Sequence, residues 1–128
     1  MDGSGTIEST TSGAIGTQPV SWPNRAEDSP SATSPEELIA AAHAACFSMA
    51  LSHGLAQSGH PPDELHTSAT VTFVPGQGIT KIALAVEGSV LGLDADGFRE
   101  AAEGAKANCP VSKALAGVPE ITLDATLR

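Results

Sequence analysis

The sequence contains no tyrosine, one tryptophan (Trp22) and three phenylalanines among its 128 residues. Aromatic burial therefore cannot carry its core. Large aliphatic side chains are scarce as well: ten Leu, six Ile and seven Val stand against 21 Ala. Leu, Ile, Val and Phe together make up about a fifth of the chain, the edge of the composition typical of disordered sequences. A chain so poor in large side chains must either stay loose or borrow apolar surface from a partner. Positive charge is the next shortage, with six Lys and Arg facing fifteen Asp and Glu for a formal net charge of −9. Such a chain repels phosphate, which argues against nucleic acid and anionic membrane surfaces as partners. The longest nearly apolar run, Leu38 to Leu51, is interrupted by His43 and Ser48. It falls short of the roughly 18–20 residues that span a bilayer. No basic segment followed by an apolar one begins the chain, so no secretory signal is expected. Two cysteines without an export signal point to a reducing compartment, the cytoplasm, where a permanent structural disulfide is not expected.

What is present reads as one domain over residues 1–128. Residues 1–33 are rich in Gly, Ser, Thr and Pro, with extended pieces at Thr6–Ser9 and Ala14–Trp22. Pro19 argues against a central strand there, and Asn24–Thr33 reads as a loop carrying Arg25, Glu27 and Asp28. The signals change at Ser34-Pro35-Glu36-Glu37, which offers a capping hydroxyl, proline at the first helical position and a glutamate three residues after the cap. The Ala-rich stretch that follows favours helix. Its nearly all-apolar span from Leu38 to Leu51 predicts burial on most sides, with Pro61-Pro62 ending it. His66–Val74 and Ile79–Val90 alternate around a Pro75-Gly76-Gln77-Gly78 turn and read as an antiparallel hairpin. Asp94 caps a second helix to about Asn108, Pro110 opens a short one over Val111–Ala116, and Glu120–Leu127 alternates as a last strand. Helices and strands segregate, so the expected class is α+β, with antiparallel sheets around a long buried central helix.

The two cysteines occupy different settings. Cys46 lies within the apolar helix, where a free thiol can be simply a small hydrophobe. Cys109 falls at a helix start, where free backbone amides favour the thiolate. They stand 63 positions apart, so there is no Cys-x-x-Cys redox loop, and only tertiary structure could bring them together. His43 and Cys46 share a helical face, but His53, His60 and His66 are scattered and complete no tetrahedral metal site. No metal or other cofactor is expected, and His43 reads as a packed or interface histidine. The sequence also lacks a nucleophile elbow and a phosphate-cradling glycine loop.

The stretch Ser34-Pro35-Glu36-Glu37-Leu38-Ile39-Ala40-Ala41-Ala42-His43-Ala44-Ala45-Cys46-Phe47-Ser48-Met49-Ala50-Leu51 closely resembles the central helix of the OsmC family of thiol peroxidases. Asn108-Cys109-Pro110-Val111-Ser112-Lys113-Ala114-Leu115 resembles that family's second cysteine motif. Ile79–Leu84 and Glu120–Leu123 fit its strands in the same order. With His43 and Pro110-Val111-Ser112, the chain is more similar to the OsmC branch than to the organic hydroperoxide resistance branch.

The resemblance implies that Cys46 is the peroxidatic cysteine, Cys109 the resolving one, Arg25 the cation that contacts the reactive sulfur, and Glu36 the carboxylate that orients it. A thiol on an apolar helix would otherwise hold its proton. Arginine is the side chain that stays charged when desolvated, and a bidentate Glu36 could fix it. The implied cycle reduces organic hydroperoxides, and hydrogen peroxide more weakly, through a sulfenic acid and a Cys46–Cys109 disulfide. A dithiol reductant, such as a lipoyl-bearing protein, would reopen that disulfide. Leu38, Phe47 and Met49 would form an apolar wall for the substrate. The resemblance further implies an intertwined homodimer with its active site between subunits. The family begins with a tryptophan-bearing strand before an Asp-Gly-Ser-Gly turn, and this chain starts at that turn, so the first strand is expected to be missing. The alternative is a non-enzymatic redox sensor, or a ligand-binding dimer of the same fold.

Overall fold

A computed structural model describes residues 3–8, 11–26 and 31–128. Met1, Asp2, Ser9, Thr10, Glu27 and Asp28, to which the sequence assigned turn, strand and loop positions, lie outside the described residues. The chain opens with two short strands, β1 (Gly5–Glu8) and β2 (Thr17–Val20), paired antiparallel as a separate two-stranded sheet. Pro19 is tolerated because β2 has only one strand neighbour, and its carbonyl accepts from the Thr33 amide at 3.0 Å. A short 3-10 turn over Trp22–Arg25 follows.

Helix α1 runs Pro35–Gln57. Ser34 stays extended and its hydroxyl accepts from the Glu37 amide at 3.1 Å, as the capping pattern predicts. The Glu37 carboxylate does not return to the cap; it accepts from the Thr33 hydroxyl at 3.0 Å. Strands β3 (Glu64–Val74) and β4 (Gly78–Ser89) form the expected antiparallel hairpin. Its turn is closed by the Gln77 amide on the Val74 carbonyl at 2.9 Å, with Gly76 and Gly78 at φ +83° and +93°. Helices α2 (Ala95–Asn108) and α3 (Pro110–Ala114) lead to β5 (Glu120–Leu127).

The α+β class holds, but the three-stranded sheet is mixed: β4 is central, antiparallel to β3 and parallel to β5. The crossover through α2 and α3 returns the chain in the direction of β4, which alternation within a strand does not encode. The helix also differs from expectation. Within one chain α1 buries a single face, carrying Glu36, His43, Phe47, Leu51 and Leu55. The sheet and α2 cover one side only, so Ala41, Ala42, Ala45 and Met49 stay exposed, Met49 by 73%. By length and composition α1 reaches a membrane span, further than the run Leu38–Leu51 suggested. Its acidic first turn and its packing of Phe47, Leu51 and Leu55 against Leu84, Val86 and Phe98 are those of a core helix.

Candidate active site

Pro110 restricts the residue before it to extended backbone. Cys109 accordingly sits at φ −59°, ψ 123°, ending α2 and capping α3. Its side chain is fully buried and turns towards α1. Cys46 flanks the buried stripe of α1, half-buried, one residue before core Phe47. The two thiols lie close enough to act on each other's protons. The Cys109 sulfur pushes the Cys46 thiol above the ordinary range, and the Val111 amide offsets this only in part. Burial pushes Cys109 up, but the neighbouring Cys46 thiol, the amide and hydroxyl of Ser112 and the Val111 amide outweigh it and bring Cys109 below that range. Among the described residues no cation acts on Cys46 to do the same.

A buried polar pair lies beside the sulfurs. His43 is fully buried, three residues before Cys46, and its Nε2 is 2.7 Å from the Ser112 hydroxyl. Burial lowers the His43 pKa, keeping the imidazole neutral. The Asn108–Leu115 motif includes Ser112, but nothing local to it marks a role beyond its i+3 spacing from Cys109, which shares a helical face.

Arg25 and Glu36 form the second cluster. The Arg25 Nε and Nη2 both donate to Glu36 Oε1, at 3.0 and 2.8 Å. The guanidinium lies between the rings of Trp22 and Phe73, 4.7 and 4.5 Å from their centroids. This differs from a bidentate pair, because Glu36 Oε2 stays buried without a partner. The stacking rings were not foreseen, since Trp22 and Phe73 lie far apart in sequence. Glu36 and Cys46 are ten residues apart on one continuous helix. That separates them by about 15 Å of helical rise, well beyond the reach of a guanidinium already bonded to Glu36. Within one chain the structure brings the two sulfurs together, and the arginine with its glutamate, but not one pair with the other.

The expected substrate wall divides. Leu38 is half-buried and Met49 exposed, but Phe47 is fully buried in the core with Leu51 and Leu55. Phe47 is removed from the wall, because the helical turn that presents Cys46 and Met49 outward points position 47 at the sheet. A cleft of about 890 Å³ lies between Ala44, Ala45 and Ser48 of α1 and Leu65–Ser68 of β3. Among the described residues no group of three or more His, Cys, Asp or Glu is arranged to hold a metal ion.

The sequence family described as OsmC-like protein matches residues 27–124. The chain is 48% identical over 129 residues to the peroxiredoxin OsmC of Escherichia coli (strain K12), covering 98% of this chain and 87% of that protein. It is 30% identical over 103 residues to the organic hydroperoxide resistance protein OhrB of Bacillus subtilis (strain 168), covering 80% and 76%. Its fold matches the crystal structure of an organic hydroperoxide resistance protein from Elizabethkingia anophelis with TM-score 0.74, at 20% identity, over 100% of this chain and 96% of that one.

Proposed function

The chain belongs to the OsmC-like family of thiol peroxidases, and we propose that it reduces organic hydroperoxides to alcohols at Cys46 and resolves the product with Cys109. The observation that carries this reading is the proximity of the two free thiols, buried Cys109 lying near enough to half-buried Cys46 for each to shift the other's proton affinity. The Cys46 thiolate attacks the distal peroxide oxygen, the O–O bond breaks, and the leaving alkoxide takes a proton to become the alcohol. Cys46 is then a sulfenic acid. Cys109 attacks its sulfur, forming the disulfide and releasing water. An exogenous dithiol, a lipoyl-bearing protein in this reading, exchanges with the disulfide and restores both thiols. Leu38 and the exposed Met49 offer apolar contact to an alkyl hydroperoxide, which disfavours hydrogen peroxide as the better substrate.

The working form is a homodimer with its site shared between subunits. Two features support this. In a single chain Cys46 keeps its proton and no cation among the described residues lies on it, while a stacked, oriented guanidinium is anchored ten helical residues away at Glu36. A second copy docked across the open face of α1 can bring its own Arg25–Glu36 pair to this Cys46. The half-covered helix and the separate β1–β2 pair also need a surface to complete them. A reducing compartment, the cytoplasm, suits a cycle that depends on dithiols.

The test is turnover of cumene hydroperoxide with dithiothreitol, with the Cys46–Cys109 disulfide sought by mass spectrometry after one equivalent of peroxide. Steady consumption and the intramolecular disulfide are expected. Stoichiometric oxidation without turnover would favour a sensor instead.

A further inference from the structure

His43 takes no part in the cycle just described, yet it is the buried titratable side chain nearest the sulfurs. It hydrogen-bonds Ser112 at 2.7 Å, and Ser112, three residues along α3 from Cys109 and buried with it, favours the Cys109 thiolate through its amide and hydroxyl. The four groups are neighbours in the order His43, Ser112, Cys109, Cys46. Its polarity follows from the one atom without a partner. His43 Nδ1 is buried and unpaired. A buried N–H with no acceptor is rarer than an acceptor with no donor, so we assign the ring proton to Nε2. Nε2–H then donates to the Ser112 oxygen. The single Ser112 proton is thereby free to point at Cys109 rather than back at the ring.

We propose that His43 is a positioning residue for the resolving step, fixing the Ser112 hydroxyl as a donor to the Cys109 sulfur and holding that sulfur against Cys46. This inference rests on the peroxidase reading above and assigns the network to its second half. During the first half, Cys46 is the sulfur that must be unprotonated. Once Cys46 becomes a sulfenic acid it is no longer a competing thiolate. Cys109, with donors from Ser112 and Val111, can give up its proton and attack. The balance is Cys46–SOH plus Cys109–SH giving the disulfide and water. The S–S bond forms, the S–O bond breaks, and the departing hydroxide takes up the proton that Cys109 releases. The Cys109 sulfur is oxidised and the sulfenic sulfur reduced. His43 and Ser112 end as they began, so the relay is not consumed.

The titratable groups bearing on Cys109 are Cys46 directly and His43 through Ser112. Of the lysines on the adjoining helices, Lys106 is 3.9 Å from Glu103, and Lys113 is exposed. A resolving role separates from a merely structural one because it affects only one chemical step. Three variants test it: Ser112→Ala, His43→Phe and His43→Gln, the last retaining an N–H near the position of Nε2. Quenched-flow with a sulfenic acid trap measures the first step, and mass spectrometry of the quenched samples measures disulfide formation. Ser112→Ala and His43→Phe are expected to form sulfenic acid within about twofold of wild type and the disulfide about tenfold more slowly. Sulfinic Cys46 should then accumulate at peroxide levels that leave wild type as disulfide. His43→Gln should recover most of the disulfide rate. In a Cys46→Ser background, Ser112→Ala should also move Cys109 alkylation to higher pH, a readout that survives if His43→Phe does not fold. Wild-type disulfide rates in Ser112→Ala, or His43→Gln as slow as His43→Phe, would overturn the inference. Wild-type protein that forms no disulfide with peroxide overturns the peroxidase reading itself, a different result.

Discussion

Arg25 donates two N–H groups to a single oxygen of Glu36 while that carboxylate's other oxygen stays buried and unpaired. Among the described residues no other acceptor engages the guanidinium, and the Trp22 and Phe73 rings pack on it. A cation stacked and anchored in this way needs little reorganisation to serve an incoming sulfur or peroxide. The Glu36 side chain is 6% exposed and that of Arg25 22%, so the pair is only partly screened by water.

Replacing Glu36 by Ala is therefore expected to act on both stability and turnover. Loss of a charged hydrogen-bond partner for a half-buried arginine should destabilise the chain by about 1–3 kcal/mol, read from urea unfolding. Releasing the guanidinium should lower kcat/KM by roughly a hundredfold, the scale of losing one preorganised charged donor. Glu36→Gln, which keeps an acceptor oxygen, should fall between. An unaltered kcat/KM in Glu36→Ala would remove this carboxylate from the machinery.

The roughly 15 Å of helix between Glu36 and Cys46 makes the shared site testable by mixing inactive variants. Arg25→Ala and Cys46→Ser should each be inactive alone. After unfolding and refolding together, half the dimers are mixed, and each has one complete site of two. Recovered activity should approach about a quarter of wild type. A site built within one chain recovers nothing.

The cysteines should fail differently. Cys46→Ser should abolish turnover, because no other thiol faces the substrate side. Cys109→Ser should consume one equivalent of hydroperoxide per chain to reach sulfenic acid and, without added dithiol, a second and slower equivalent to reach sulfinic acid at Cys46. Intact-mass measurement distinguishes the gain of one oxygen from two. Oxidation of Cys109 ahead of Cys46 in the wild type would reverse the assigned roles.

Packing of α2 on the sheet offers a test away from the chemistry. A Cβ at Gly88 would lie 2.5 Å from Phe98 Cε1 and 3.0 Å from Leu65 Cδ2. Phe98 is fully buried and cannot swing into solvent. Gly88→Ala should cost about 1–3 kcal/mol through overpacking, and Phe98→Leu in the same chain should recover part of it by opening space. Strictly additive effects in the double variant would contradict direct contact.

Local signals in the sequence marked the helix starts and the order of the elements, while several ends moved, β2 shortening to Thr17–Val20 and β3 beginning at Glu64. Ser34-Pro35 and Asp94 cap their helices through side-chain oxygens on amides three residues ahead, and the alternation in β3, β4 and β5 needs no distant partner. Direction and facing were not legible. In an alanine-rich helix, apolar on every side, no periodic contrast says whether position 46, 47 or 49 meets the core, and it is Phe47 that the sheet and α2 bury while Met49 stays exposed. The parallel course of β5 depends on how α2 and α3 pack, which β5 itself does not record. The meeting of Cys46 with Cys109 was implied by family resemblance, not by spacing. Histidine 43 and Ser112 are 69 residues apart, and nothing local to either marks the contact.

The buried histidine gives the chain a definite response to acid. Burial lowers the His43 pKa below its ordinary 6.5 in the folded chain, whereas the unfolded chain keeps that value. Above pH 6.5 both states are neutral at this residue and it contributes no slope. Below 6.5 the unfolded state takes up a proton that the folded state resists, so stability falls with pH until the folded pKa is passed. The slope from this one group reaches at most about 1.4 kcal/mol per pH unit. Carboxylates and other histidines add their own slopes, but these are shared by a His43→Gln variant. Urea unfolding of both proteins between pH 8 and 5 isolates the contribution as a difference. The two curves should run parallel above pH 6.5 and diverge below it, with wild type losing stability faster. Protonation also gives Nδ1 a proton with no acceptor beside it, so the same pH window should slow disulfide formation in wild type if His43 serves the resolving cysteine. Curves that stay parallel to pH 5 would show that His43 is not held neutral by the fold.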